Sequence, residues 1–316
     1  MTHDRAYRIF RTLAVALVAH AAPLRMSHAQ AQDVPGPSAQ GIHADAFAHA
    51  ADASTVRYRN MALILGHSVA VGWYGKTHWW KDGFTGDFRS VNEGWFGQHT
   101  YAGGADKLGH FYMNYAGTRL FARAFASAGN TPEQALVLAA TMILGTMSAV
   151  EVVDAYSKRW RFSKEDAVAN ALGAGAAILF EKYPALDRLV DLRFHYRRSA
   201  AGGDSFDPFG DFSGQTYVLA LKASGVDALR EHRLLRYLEF GLGYATRNYE
   251  DKRPVAGRPA RRVYAGVSLN LSELLGRTAF KEVPPQRRIR RLSDTALEYI
   301  QVPGTAVFVR HTLPQD

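Results

Sequence analysis

The stretch Gly103–Tyr115, "GGADKLGHFYMNY", sets Asp106, His110 and Asn114 four residues apart at the start of an otherwise apolar segment. In a helix that spacing stacks the acid, the imidazole and the amide along one face. The segment therefore reads as a helix with a polar stripe. Three further stretches share its helical texture: "YRNMALILGHSVAVGWYG", "TPEQALVLAATMILGTMSAVEVVDAYSKRW" and "SKEDAVANALGAGAAILFEKYP". Thr131 before Pro132, with Glu133 and Gln134 following, marks a helix N-terminus, and so does Ser163 before Lys164, Glu165 and Asp166. Four helices with short connections predict a bundle. The exception is the Gly- and aromatic-rich loop "KDGFTGDFRSVNEGWFGQHTYAGGA", whose length suits a functional loop or lid.

Beyond Pro184 the texture changes. "TYVLALKAS", "RYLEFGLGYATRNYE", "RRVYAGVSLNLSELL" and "LEYIQVPGTAVFVRH" alternate with period two and are rich in β-branched and aromatic residues. Four or five antiparallel strands are expected, too few to close a lipid-facing barrel. The predicted fold class is α+β, a four-helix bundle followed by a small antiparallel β-sheet. Its parts are a signal peptide at 1–31, a linker at 32–54, the helical bundle with its polar site at 55–186, an irregular connection at 187–215 and an antiparallel β region at 216–316.

The chain of 316 residues is 47% hydrophobic and 21% charged, enough to bury a core and too apolar for wholesale disorder. Arg5, Arg8 and Arg11, an apolar run from Thr12 to Leu24 and small residues at Ala29 and Ala31 follow the order of a secretory signal, with cleavage expected after Ala31. The expected location is exported, in the periplasm or an envelope membrane. Loss of that segment removes four Arg and one Asp and lowers the formal charge from +9 to +6. A basic exported protein suits membrane lipid or another envelope component. Nucleic acid is not an expected partner, since the cations do not interleave with aromatics along a strip, and a protein partner is not specified.

The longest apolar run, Ala135 to Val150, falls short of the roughly 18 residues that mark a spanning helix. A bundle at or in a membrane surface is preferred to a fully soluble one. Trp79, Trp80, Trp95 and Phe96 suit either interface anchors or the packing of a lid. There is no Cys, which excludes disulfides and thiolate chemistry. No P-loop, G-x-G-x-x-G after a strand, G-x-S-x-G or H-E-x-x-H motif occurs.

Polar residues recur at one end of three helices: Asp106, His110 and Asn114; Glu151 and Asp154; Asp166 and Asn170. Bundles build metal sites from inward carboxylates and a His on facing helices. Asp106, His110, Glu151, Asp154 and Asp166 are the candidate metal ligands, and an oxygen-rich set with one His suits Mg, Mn or Zn. His110 and Lys107 are the candidate catalytic residues, His110 as ligand or general base and Lys107 as an anion contact. Asn114 and Asn170 are structural polar partners. The plainer reading is that Asp106 and Asp166 answer the helix dipole while Glu151 and Asp154 pair with Lys158, Arg159 or Arg161. His67, His78 and His99 have no comparable company and read as structural.

"NEGWFGQHTYAGGADKLGHFYMNY", "EVVDAYSKRWRFSKEDAVANALGA" and "FGLGYATRNYE" with "RRVYAGVSLNLSELL" together resemble the YfiM-like family of predicted periplasmic proteins, a domain of unknown function, over residues 57 to 276. Members are often predicted lipoproteins, a feature from which a Cys-free sequence departs. The D-K-x-x-H block and "S-x-x-D-x-x-x-N-x-x-G" are also similar, over short motifs, to the membrane protein VanZ, which maps Asp106, Lys107, His110, Glu151, Asp166, Asn170 and Gly173 onto its polar positions. The resemblance implies a helical core in a membrane with a polar site of undetermined chemistry. Two functions follow as expectations. One is a membrane-associated envelope protein with a polar or metal site, acting, if an enzyme, on a phosphorylated lipid or cell-wall intermediate. The other is a non-catalytic envelope scaffold or partner-binding protein, whose polar cluster fixes helix register and whose sheet binds a partner.

Overall fold

A computed structural model describes residues 52–200, 202, 206–249, 257–285 and 287–314. The signal-peptide reading of 1–31, and the linker up to residue 51, lie outside the described residues; from Ala53 the chain is helical. The fold is α+β. In chain order the elements are α1 (Ala53–Tyr74), β1 (Ser90–Val91), α2 (Ala105–Ser127), α3 (Pro132–Tyr156), β2 (Phe162–Ser163), α4 (Lys164–Lys182), α5 (Pro184–Leu189), β3 (Val190–Tyr196), β4 (Gln215–Lys222), α6 (Asp227–Arg230), β5 (Leu238–Arg247), β6 (Ala260–Leu269), α7 (Leu271–Arg277), α8 (Arg288–Tyr299) and β7 (Ala306–Thr312).

The chain divides into two compact units, Met1–Arg89 with Phe121–Arg161 and Ser90–Leu120 with Phe162–Asp316. The four long helices of 55–186 are therefore shared between the two units. α1 and α3 belong to the first unit, α4 to the second, and α2 crosses from one to the other.

In the first unit, Thr131 closes a capping box with Gln134, and Pro132 occupies the first turn, so α3 begins where local chemistry satisfies its orphan N–H groups. Ala135, Ala139, Met142 and Ile143 recur at helical spacing and pack against Ala122 and Phe125 of α2, with Leu63 and Ile64 of α1 against the same cluster. α1 and α3 run in step. Near their starts the Asn60 and Asn130 amides exchange hydrogen bonds of 2.9 and 2.7 Å. Near their far ends Trp80 Nε1, just past α1, donates to Asp154 Oδ1 in the last turn of α3 at 2.5 Å. Among the described residues α3 is the one helix long and apolar enough to cross a membrane, and 33% of its apolar stretch is buried.

In the second unit, Ser163 caps α4 by accepting from Asp166 N at 3.2 Å. α4 meets α2 without side chains between them, because a Cβ on Gly173 would lie 2.1 Å from Phe111 O. The five-stranded sheet is an antiparallel meander in the order β3-β4-β5-β6-β7. Val190, Leu192, Leu219 and Leu221 share one face of β3 and β4 and join Phe111, Tyr112, Tyr115 and Phe180 in the core. The opposite face carries a buried ion network. Arg193 grips Glu239 with two bonds of 2.6 and 2.7 Å and Asp191 with one of 2.6 Å, Lys222 pairs with Asp191, and Ser268 donates to Glu239 at 2.9 Å.

Three expectations change here. The connection 187–215 is not irregular throughout: it holds the end of α5 and the edge strand β3. The β region 216–316 also contains α6, α7 and α8. "LEYIQVPGTAVFVRH" is strand only in its second half, since Leu297 to Tyr299 close α8 and Ala306–Thr312 forms β7.

Candidate functional site

The polar stripe of α2 faces the N-terminal half of α4. A tight turn, Tyr101–Gly104, brings the chain into α2 through three left-handed residues, Ala102 at φ 50°, Gly103 at 59° and Gly104 at 88°. A side chain at Gly104 would strike Phe96 and the Trp95 carbonyl, so the turn requires glycine there. Tyr244 OH donates to Gly103 O, and Arg261 donates to Phe96 O at 2.6 Å, which ties the loop to β5 and β6. The loop thus delivers Glu93 to the stripe.

Lys107 is the hub. Its ammonium is 1% exposed and pairs with Asp166 Oδ1 at 2.6 Å, with Asp106 Oδ2 at 2.9 Å and with Glu93 Oε2. The ammonium donates to Asp106 and Glu93 and is ion-paired with Asp166, so three carboxylates already surround its single charge. The Tyr101 ring lies 5.7 Å below it. Burial works to lower the Lys107 pKa, but Asp106, Asp166 and Glu93 together hold it above its ordinary 10.5. Burial likewise works to raise Asp106, and the neighbouring His110 and Lys107 outweigh it and keep the carboxyl below its ordinary 3.8.

The tautomer of His110 follows from a chain of amides. Asn114 Nδ2 donates to the His110 carbonyl at 2.9 Å, which fixes which end of that amide is nitrogen. The same Nδ2 donates to Asn170 Oδ1 at 2.6 Å, so the atom Asn170 presents is its oxygen. His110 Nδ1 lies 3.1 Å from that oxygen and must be the donor. In the neutral ring the lone pair is then on Nε2. That atom faces Asp106 Oδ1 at 3.8 Å and Asp166 Oδ2 at 4.0 Å. One ligand atom from each of Asp106, His110 and Asp166 lies within 4.8 Å of the others.

The expected site residues separate accordingly. Asp106, Lys107, His110, Asn114, Asp166 and Asn170 come together in the second unit. Glu151 and Asp154 are in the first unit, Glu151 buried and Asp154 accepting from Trp80. Trp80 is itself buried, whereas Trp95 and Phe96 are partly exposed on the loop. His67 packs edge-on against Phe121 and His78 stacks on Tyr74. Two contributors were missed. Glu93 is the sole carboxylate between Asp87 and Asp106, a signal visible in the loop. Tyr217 of β4 would contact a Cβ on Gly109 at 3.1 Å through its hydroxyl, and burial followed by the nearby Asp106 charge pushes its pKa well above 10.0; nothing local in the sequence announces it.

An α+β protein with a buried acid–lysine–histidine cluster between two helices is the class that fold and site define. Residues 92–182 match a family described as predicted periplasmic lipoprotein (DUF2279), a stretch that holds every helical member of the cluster together with Glu93. The match agrees with an exported location in the periplasm or envelope; it carries neither the YfiM-like name nor the likeness to VanZ. The comparisons with curated proteins and with solved structures give no match.

Proposed function

We propose that this is an exported, membrane-associated envelope protein that holds a divalent cation between Asp106, His110 and Asp166. The observation that supports the reading is that His110 Nε2 and one oxygen each of Asp106 and Asp166 lie within 4.8 Å of one another. Such an arrangement is repulsive unless a proton on Nε2 or a metal cation lies between the atoms. Glu93, Asp106 and Asp166 against the single ammonium of Lys107 leave two negative charges in a largely buried cluster. A proton on Nε2 offsets one of them, whereas a divalent ion offsets both. The separations of 3.8 and 4.0 Å are a little wider than the edge of about 3.4 Å expected for a tetrahedron with bonds of about 2.1 Å, so a small inward movement would complete the contacts.

Asn170 would hold the imidazole from behind, as outer partners do at metal sites. Three protein ligands leave positions open for water or substrate, which suits hydrolysis or transfer on a phosphorylated lipid or cell-wall intermediate. Glu151 and Asp154 are outside this ligand set. The second reading, a non-catalytic scaffold, is favoured by Lys107, whose saturated ion pairs would by themselves pin α2 to α4.

The test is metal content. Purified full-length protein is stripped with chelator and titrated calorimetrically with Mn2+ and with Zn2+, beside His110→Ala and Asp166→Asn. One ion per chain in the wild type, lost in both variants while their circular dichroism is retained, is the expected result. No binding in the wild type, with collapse of His110→Ala, would establish the scaffold instead.

A further inference from the structure

Among the described residues of the first unit, none covers one side of α1. Tyr58, Met61, Leu65, Val69 and Trp73 recur at spacings of three and four and are 74, 49, 48, 69 and 66% exposed. Leu63 and Ile64 turn the other way, against α3 and the end of α2. From Asn60 to Gly75 there is no charged residue, while exposed Arg57 and Arg59 precede the stretch and exposed Lys76 follows it. α3, held in step beside it, is uncharged from Gln134 to Val150. Each stretch is roughly sixteen residues, about 24 Å long.

We propose that this stripe docks in the headgroup and upper acyl region of an anionic bilayer. The inference rests on the membrane association proposed above and is independent of the metal site. Charge complementarity selects the occupant: cations stand at both ends of an uncharged row, and α1 contains no acid. Tyr58 and Trp73 close the row at either end, where amphipathic rings prefer a membrane interface. Area argues against a second copy of the chain. One row of five side chains at those exposures offers at most on the order of 600 Å2, below the ~800 Å2 per partner of a stable protein interface.

The test is flotation of the full-length protein with vesicles of phosphatidylcholine, with and without phosphatidylglycerol. The wild type is expected to float with the anionic vesicles. Leu65→Glu/Val69→Glu changes only exposed side chains and is expected to lower that binding by about tenfold or more, with circular dichroism and metal content unchanged. Arg57→Glu/Lys76→Glu is expected to weaken binding to the phosphatidylglycerol vesicles alone. A wild type that stays at the bottom of the gradient would overturn both this docking surface and the membrane association. A Leu65→Glu/Val69→Glu variant that floats like the wild type would overturn the surface only. A concentration-dependent dimer, formed without vesicles and abolished by that variant, would assign the stripe to a second copy.

Discussion

Lys107 Nζ lies 2.6 Å from Asp166 Oδ1 and so joins the first turn of α2 to the first turn of α4. Removing that ammonium leaves Glu93, Asp106 and Asp166 facing one another in a largely buried space. Lys107→Met is therefore expected to lower the unfolding free energy by about 3–5 kcal/mol in urea titration. The double variant with Asp166→Asn should recover part of the loss, because one of the stranded charges is gone.

Gly173 and Gly175 make a matched pair. A Cβ at 173 would meet Phe111 O at 2.1 Å, whereas a Cβ at 175 has nothing within 4 Å. Gly173→Ala should cost roughly 1–3 kcal/mol or more by forcing the helices apart. Gly175→Ala, on the same helix, should gain about 0.5–1 kcal/mol from reduced backbone entropy in the unfolded chain. Equal effects at the two positions in thermal melts would contradict the close approach.

Stability should be greatest across neutral pH and fall at both extremes. The Asp106 carboxyl is depressed below 3.8, so its contribution is present above that value and is lost as pH falls through the folded-state pKa. Lys107 is raised above 10.5, so its contribution is present below that value and is lost only as pH rises through the higher folded-state pKa. Buried Tyr217, pushed above 10.0, acts on the same alkaline side. Denaturant midpoints from pH 3 to pH 11 should trace a plateau with two shoulders, and Lys107→Met should flatten the alkaline one.

If the cation binds the folded chain only, it must stabilise it. At a free concentration a hundredfold above the dissociation constant the gain is about 2.7 kcal/mol. Melts of the wild type with Mn2+ should return to the metal-free midpoint on adding chelator, and Asp166→Asn should show no such shift.

Arg261 donates to Phe96 O at 2.6 Å and to Pro314 O at 2.7 Å. Arg261→Ala strands both carbonyls and should cost about 1–3 kcal/mol. Limited proteolysis should then cut within Gly94–Thr100 faster than in the wild type. An unchanged cleavage rate would mean that Tyr244 and Tyr249, whose hydroxyl donates to Gln98 O at 2.9 Å, hold the loop without help.

The parts legible in the sequence are those whose chemistry is local. Thr131 and Ser163 announced the starts of α3 and α4 because a cap acts within three residues. Asp106, His110 and Asn114 could be aligned from spacing alone, and so could Asp166 and Asn170. β3 keeps the usual alternation, with Val190 and Leu192 toward the core and Asp191 and Arg193 on the other face, but it follows directly on a short helix and leads into a Gly-rich polar stretch; what no local pattern announces is the burial of Asp191 and Arg193, tolerable only through their pairing with Glu239 and Lys222. Glu93 escaped because its meeting with Lys107 depends on how a long loop closes. Lys107 stands one residue, about 100° of helical rotation, off the stripe, and its partnership with α4 is a fact of packing.

Gly173 also bears on which ions the cluster could tolerate. Where two helices rest backbone on backbone, the span between their side chains behaves like the jaws of a clamp set by hard stops. Rotamer changes cannot widen it, and a larger ion would have to lift Phe111 off Gly173 along the whole contact. Selection by radius would then be written two turns along α4 from Asp166, by a residue with no side chain.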